Sequence, residues 1–496
     1  MDFLDSFSKY HIFIIVSGMC LALLSLIDKT LAVGVIFIVF LACVALFFLN
    51  KLKDKEATKF LSTLFLIVFL IHAAAVIFMY YAHFQPFSEG RGDFNEYHSV
   101  AKQVSERVHA GNFSLKEFSE FPNLVNYYPV IVGYVYTLTV PAMLMGQLLN
   151  AWIVALTSIV IYLIVKEIGR SAKKGFMVGL MIGFYPSLFF YGSLLLKDAL
   201  IVLLITVALL LTIKAIKEFS WKSFLIFYIT LIGVTHFRFY MGYALVLNFT
   251  VCWFLFSNLN IKKRVMYVMI MIIFFGFLPF SALDGKTQGY MGLKALRSFL
   301  NPQTIIGYRE LASSSKPSVS INENPPINEN PPIKENPPSL NIQPYGHYSP
   351  IAQDSSITID AGFNNPVSFF KNVSVSFVYA LLGPFPWQLT HKKHLFVLLE
   401  MIPWYFLLFF IIKGIAQSIR RDYRVILPLI IFCIIIFGIL SLYINNFGII
   451  TRIRMPAFIA LLCLFPLGLE KFPLVSNFWQ SQKLKFQRIL INRVKK

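Results

Sequence analysis

The sequence predicts an all-α, polytopic membrane protein of about 12 transmembrane helices. Of its 496 residues, 57% are hydrophobic and only 14% are charged, whereas charged residues make up about a quarter of a soluble domain. Apolar runs recur along the chain, and their lengths approach the roughly 20 helical residues that are needed to cross a hydrocarbon layer about 30 Å thick. Basic residues gather in alternate connections between these runs. The composition and the spacing both indicate a chain that folds in lipid.

Twelve apolar runs are predicted to span the membrane. They lie near residues 11–27, 31–49, 60–81, 148–166, 174–192, 199–213, 223–235, 241–258, 265–281, 395–412, 425–443 and 455–470. The first follows Asp2 and Asp5, without a basic segment or a small-residue cleavage site, so we expect a retained helix rather than a signal peptide. All five cysteines lie singly within apolar runs, which predicts neither a disulfide framework nor a thiolate metal site.

The placement of the basic residues predicts the topology. The formal net charge is +20, and short basic loops mark the cytoplasmic side of a membrane. The basic clusters that fall on one side lie at residues 51–59, 166–174, 214–222, 262–264, 413–424 and 471–496. We therefore expect a multi-pass protein of the cell membrane with both termini in the cytoplasm. Anionic membrane lipid explains the charge better than nucleic acid does.

Two long connections on the opposite side divide the chain into four regions. These regions are two extra N-terminal transmembrane helices in 1–59, a transmembrane core in 60–281 with an outer loop at 82–147, a long outer loop in 282–394, and C-terminal transmembrane helices with a basic cytoplasmic tail in 395–496. The second loop contains a Pro-rich hexapeptide repeat at 321–338. Paired prolines favour an extended conformation, so the repeat is predicted to be a spacer; a recognition motif for a partner is the alternative.

The first outer loop is predicted to contain ordered structure. Val100, Val104 and Val108 recur every four residues beside charged side chains, a pattern typical of a helix lying at the membrane interface. This helix is predicted to end at Gly111. The apolar stretch 127–147 is interrupted by two prolines, so it is predicted to dip into the bilayer without crossing it.

Asp93 is the first candidate for chemistry. It follows the third span in the sequence Arg-Gly-Asp-Phe-Asn-Glu-Tyr, which ends at Tyr97. A carboxylate at the membrane boundary can act as a general base on an acceptor hydroxyl. An Asp followed three residues later by Glu96 also fits a helix N-cap, and both interpretations stay open. The two carboxylates could hold a divalent cation with water, although no other metal pattern supports this.

Other ionisable residues interrupt apolar sequence on the same predicted side. Lys197 and Asp198 stand between two spans; such residues usually face a polar cavity or each other, although they could also cap the next helix. The residues that separate the seventh and eighth spans include His236, Arg238 and Tyr240.

Arg452 and Arg454 lie on the side where the positive-inside rule does not predict arginine. A guanidinium matches phosphate oxygens in a bidentate manner, so a lipid phosphate at the outer leaflet is one explanation. Arginines that reach towards lipid headgroups from a helix end are the other.

In order, these segments resemble the GT-C superfamily of membrane glycosyltransferases, in the branch of the protein mannosyltransferases and the aminoarabinose lipid A transferases (glycosyltransferase family 39). The resemblance covers roughly residues 60–260. It comprises Asp93 with Tyr97, then Tyr-Tyr-Pro at 127–129, an Asn-led helix at 150–174, Tyr-Pro at 185–186 with Tyr191, and Asp198. Here the paired acids of the family's first loop are separated as Asp93 and Glu96, and two spans precede the family's usual first helix.

The resemblance implies a sugar donor carried on polyprenyl phosphate and an extracytoplasmic acceptor, with inversion at the sugar. By this resemblance Asp93 and Asp198 would be the catalytic carboxylates, with Asp93 as the base and Asp198 in the same outer cavity. Phosphate-binding roles are expected for Lys197, Arg238, Arg452 and Arg454, and supporting roles for Glu96, Tyr97, His236 and Tyr240. No metal ligand is assigned, and a divalent cation remains a candidate cofactor. The alternatives are a lipid-linked oligosaccharide polymerase or ligase, and a flippase or transporter, although the two halves show none of the repeat symmetry common in transporters.

Overall fold

The computed structural model describes residues 22–52, 54–84, 92–113, 126–169, 171–276, 366–388, 395–419, 423–443 and 447–469, together with Gly18 and Asn301. Within these residues all regular structure is helical. The helices are α1 (Lys29–Asn50), α2 (Lys55–Tyr81), α3 (Asp93–His109), α4 (Tyr128–Leu138), α5 (Met143–Gly169), α6 (Ala172–Gly183), α7 (Pro186–Gly192), α8 (Asp198–Lys217), α9 (Trp221–Phe237), α10 (Phe239–Phe256), α11 (Ile261–Gly276), α12 (Pro366–Leu382), α13 (Leu395–Ile419), α14 (Tyr423–Tyr443), α15 (Phe447–Leu462) and α16 (Phe465–Leu469).

Eight helical segments in the described part of the chain are long and apolar enough to cross a membrane. They are α1, α2, α5, α8, α10, α13, α14 and the segment Ile449–Leu469 formed by α15 and α16. The prediction of an all-helical, multi-pass membrane protein is therefore confirmed. Eight of the twelve predicted spans coincide with these segments.

The other four predicted spans do not coincide with such segments, so the predicted count of twelve spans is not confirmed. The run 174–192 forms α6 and α7, which are bent by 58°, because Tyr185 takes an extended conformation before Pro186. The run 223–235 forms α9, a shorter apolar helix of 17 residues. Helix α11 has 16 residues, and the end of its predicted run lies outside the described residues. So does most of the run 11–27.

Helix α12 was not predicted, because residues 366–382 were assigned to the long outer loop 282–394. The helix begins at a proline, a residue favoured in a first turn. Near its C-terminal end, the carbonyls of Leu381 and Leu382 accept hydrogen bonds from the Trp404 indole and the Tyr405 hydroxyl of α13. The Pro-rich repeat 321–338 and the tail 471–496 lie outside the described residues.

The predicted helix of the first loop is confirmed as α3, and Gly111 follows it with a positive φ of 85°. Its valine face packs on α4, where Val130 completes the cluster of Val100, Val104 and Val108. At Gly133 the two helices approach so closely that a Cβ would lie 2.5 Å from the Val104 side chain. The apolar face of α3 is thus covered by protein, and α4 is too short to cross a membrane by itself.

Four of the six predicted basic connections lie together at one end of the bundle. The Lys166 ammonium is 3.5 Å from the Asp54 carboxylate, and that of Lys217 is 3.0 Å from Glu167. Asn258 then donates to the carbonyl of Lys217 and accepts from the Arg424 guanidinium. These contacts join four of the six predicted cytoplasmic clusters, as the alternation of basic loops requires.

Candidate functional site

Arg452 joins the two acidic residues that the sequence singles out. Its Nη2 lies 2.7 Å from Oδ2 of Asp198, and both Nη atoms lie 3.3 Å from Oδ2 of Asp93. Arg238 donates to the other oxygen of Asp198 at 2.5 Å. We call Asp93, Lys197, Asp198, Arg238 and Arg452 the charged cluster. Its two carboxylates stand at the starts of α3 and α8, at the opposite end of α8 from the basic connections.

The two carboxylates differ in exposure. The side chain of Asp198 is 1% exposed and that of Asp93 is 43% exposed. Asp198 is thus enclosed and held by two arginines, whereas Asp93 makes only the two longer contacts with Arg452 among the described residues. Asp93 is the carboxylate that a molecule outside the protein can reach.

Neither acid acts as a helix N-cap. The N-cap of α3 is Gly92 and that of α8 is Lys197, and neither helix start has a side-chain capping bond. Asp93 and Asp198 each occupy the first helical position, where the helix dipole favours a negative charge. The capping interpretation was therefore wrong, and both carboxylates are turned towards arginine.

Lys197 supplies a cation without an acceptor. Its ammonium forms no hydrogen bond or ion pair with any residue that the structure describes. Burial and the neighbouring Arg238 lower the pKa of Lys197 to about 8, although the carboxylates of Asp198 and Asp93 act in the opposite direction. Because the charged cluster holds three cationic side chains and two carboxylates, one positive charge remains to attract an anion.

A buried asparagine holds the turn that carries Lys197 and Asp198. The Nδ2 of Asn150, in α5, donates to the carbonyls of Leu194 and Leu196 at 2.7 and 2.8 Å. Its Oδ1 accepts from the Tyr128 hydroxyl at 3.0 Å. Asn150 is fully buried, and these bonds fix the backbone just before Asp198.

Tyr97 connects this network to the helix that begins at Asp93. Its ring packs edge-to-face on that of Tyr128, with centroids 5.6 Å apart, and its hydroxyl accepts from Asn126. Burial raises the pKa of Tyr97, which keeps its hydroxyl protonated. Since Tyr97 lies one turn after Asp93, packed side chains connect the positions of the two carboxylates.

The other predicted supporting residues are Glu96, His236 and Tyr240. Glu96 is exposed and pairs with no residue that the structure describes. His236 packs edge-to-face on Tyr127, and burial lowers its pKa, which favours the neutral ring. Tyr240 is partly buried and near enough to Arg238 to affect the pKa of that guanidinium.

Arg454 is the predicted phosphate ligand whose placement differs from the expectation. It is fully buried, lies 3.2 Å from the Glu400 carboxylate and also donates to the carbonyl of Gly383. Its guanidinium lies over the Phe458 ring at 4.6 Å. An arginine enclosed and paired in this way is not free to bind a lipid phosphate. It also does not extend to headgroups, so both interpretations of Arg454 are corrected.

Glu400 was missed, although the sequence carried a signal for it. It is the only acidic residue in the predicted span 395–412, and a charge within a span calls for a partner. The sequence did not indicate which basic residue that partner would be.

The two carboxylates of the charged cluster both contact the same guanidinium. Among the described residues no group of three His, Cys, Asp or Glu side chains could hold a metal. The Asp93 and Asp198 carboxylates both contact Arg452, and a metal between them would compete with its guanidinium.

No family model matches the sequence, and a comparison with curated proteins finds no significant similarity. The likeness to the GT-C superfamily therefore rests on the ordered motifs, and the activity that it implies is a proposal.

Proposed function

We propose that the protein is a membrane glycosyltransferase that transfers a sugar from a polyprenyl-phosphate donor to an extracytoplasmic acceptor. The observation that carries the proposal is the bridge formed by Arg452 between an accessible carboxylate and a buried one. Such a site offers a base for the acceptor and cations for a phosphate.

Asp93 is the base in this proposal. Its Oδ1 takes the proton from the acceptor hydroxyl or amine as the acceptor atom bonds to the anomeric carbon. The bond from that carbon to the phosphate oxygen breaks, and its electron pair leaves with the polyprenyl phosphate. One direct displacement of this kind inverts the anomeric carbon and requires no covalent enzyme intermediate.

Lys197 and Arg452 hold the donor phosphate in this proposal. Within the charged cluster, Lys197 is the cation that has no acceptor among the described residues, and the Arg452 side chain is 25% exposed. Negative charge on the departing phosphate would be stabilised by cations already in place.

Asp198 has a different role from Asp93, because it is too enclosed to reach an acceptor. Its two oxygens hold Arg238 and Arg452, so it orients the cations. The protein thus uses two acids for two tasks, one for proton transfer and one for the placement of charge.

The charge distribution supports an extracytoplasmic position for the charged cluster. The charged cluster lies at the end of the bundle away from the basic connections. By the positive-inside rule we expect this end to face away from the cytoplasm. A donor in the outer leaflet of the cell membrane would be available there.

Transfer by the purified protein in liposomes tests the proposal, with a panel of polyprenyl-phosphate sugars as donors. We expect wild type to transfer one of them and Asp93→Asn to lose most of the activity. Glu106→Gln is the matched control, because Glu106 is exposed on the same helix. Equal transfer by wild type and Asp93→Asn would remove Asp93 from the mechanism.

A further inference from the structure

We infer that Glu400 and Arg454 form a positioning pair, which sets the orientation of α15 so that Arg452 faces Asp93 and Asp198. This inference rests on the proposed function for its effect on transfer. Its structural part, the placement of Arg452, can be measured separately.

The pair is the centre of a buried polar junction between four helices. The Glu400 carboxylate of α13 accepts from Arg454 of α15 and from the Ser187 hydroxyl of α7. Arg454 also donates to the carbonyl of Gly383, just after α12. Glu400 is 4% exposed and Arg454 is 0% exposed. The junction therefore fixes α15 against α7, the helix that leads into the turn before Asp198.

The two arginines of α15 point in different directions. They are two residues apart, which is about 200° around a helix of 3.6 residues per turn. Arg454 is anchored on one face, so Arg452 is directed to the other. The Arg452 guanidinium lies 5.9 Å from the Tyr191 ring, and the Tyr191 hydroxyl is 3.4 Å from the hydroxyl of Thr451, the residue before Arg452.

Pro456 explains why side-chain anchors are needed here. It lies inside α15 and has no N–H with which to bond the carbonyl of Arg452 four residues earlier. The turn that carries Arg452 is therefore held less firmly by the rest of its own helix. Contacts with α7 and α13 supply the missing restraint.

Replacement of the whole pair can distinguish a pair that positions Arg452 from a pair that only stabilises the fold. Replacing both partners of a buried ion pair by apolar residues often leaves stability unchanged or raises it, whereas removal of one partner leaves an unpaired buried charge. The double variant Glu400→Met/Arg454→Met should therefore fold. We expect it to place Arg452 wrongly.

Thiol labelling measures this placement without any donor. Arg452→Cys is made in a Cys20→Ser/Cys43→Ser background, and the rate of labelling by a hydrophilic maleimide is compared with and without Glu400→Met/Arg454→Met. We expect the pair replacement to change the rate about fivefold or more. Lys166→Met is the matched control, because it removes an ion pair at the other end of the bundle. An unchanged rate in a folded double variant would overturn the inference.

Transfer kinetics give the second test. With Arg452 retained, Glu400→Met/Arg454→Met should lower kcat about 10-fold or more, because small displacements of catalytic groups are costly. Absence of transfer by wild type would count against the proposed function alone, since the labelling result does not depend on it.

Glu400→Gln and Ser187→Ala serve if the double variant does not fold. Each removes one component of the junction and should lower kcat. That loss should largely disappear in an Arg452→Ala background, since the junction acts through Arg452. Losses that simply add to that of Arg452→Ala would contradict the inference.

Discussion

Arg452 and Asp198 form a 2.7 Å ion pair between residues 254 positions apart in the sequence. The Asp198 carboxylate is enclosed, whereas the Arg452 side chain is partly exposed and its guanidinium also contacts Asp93. The N-terminal and C-terminal parts of the chain therefore build one charged cluster. That relationship leads to the following predictions.

Arg452→Lys should lower kcat about 100-fold while the protein remains folded. A lysine is a single point charge and cannot offer two Nη atoms to Asp93 and another contact to Asp198. Transfer kinetics with the purified protein measure the effect. Arg424→Lys, at the other end of the bundle, is the control and should retain wild-type rates.

Donor binding should weaken as the pH rises through about 8. The lowered pKa of Lys197 means that its ammonium is charged below this value and neutral above it, so the attraction for a phosphate is lost towards higher pH. Binding of a polyprenyl-phosphate sugar between pH 6.5 and 9.5 measures the effect. Lys197→Arg stays charged over this range and should remove the dependence; a persistent dependence would assign it to another group.

Asn150→Leu should lower both the melting temperature and kcat. The carbonyl of Leu196 would lose its donor, and that of Leu194 would keep only the N–H of Leu196. An unsatisfied buried polar group costs about 1–3 kcal/mol. Tyr128→Phe removes a single hydrogen bond and keeps the ring packing, so its effect should be smaller. Equal losses of melting temperature and kcat in Asn150→Leu and Tyr128→Phe would show that Asn150 does not hold the turn.

Cysteines placed at the two ends of the bundle should react from opposite sides of the membrane. Lys102 and Lys262 are both exposed, on α3 and at the start of α11. In intact cells, an impermeant thiol reagent should label Lys102→Cys and leave Lys262→Cys unlabelled. The reverse pattern would put the charged cluster on the cytoplasmic side.

The convergence of the charged cluster could be expected from the sequence. Basic loops alternate along the chain, so every isolated charge between them falls at the same end of the bundle. This is why Asp93, Asp198, Arg238 and Arg452 could be predicted to share a face. Their individual contacts could not, because pairing depends on how the helices pack.

The predictions that differ from the structure have physical explanations. Arg452 and Arg454 look equivalent in sequence, and only the orientation of α15 makes one side chain partly exposed and the other buried. Helix α12 was overlooked because Lys371 and Asn372 interrupt its apolar pattern and because the helix is short. The break between α6 and α7 was hidden within a single apolar run, although Pro186 indicated it.

The single-turnover rate of sugar transfer in wild type and Asp93→Asn, with saturating donor, tests the central claim most directly. We expect equal donor affinity in the two proteins and a chemical step about 100-fold to 10,000-fold slower in Asp93→Asn, since general base catalysis contributes about that much. An unchanged chemical step in Asp93→Asn, with donor bound equally well, would contradict that claim.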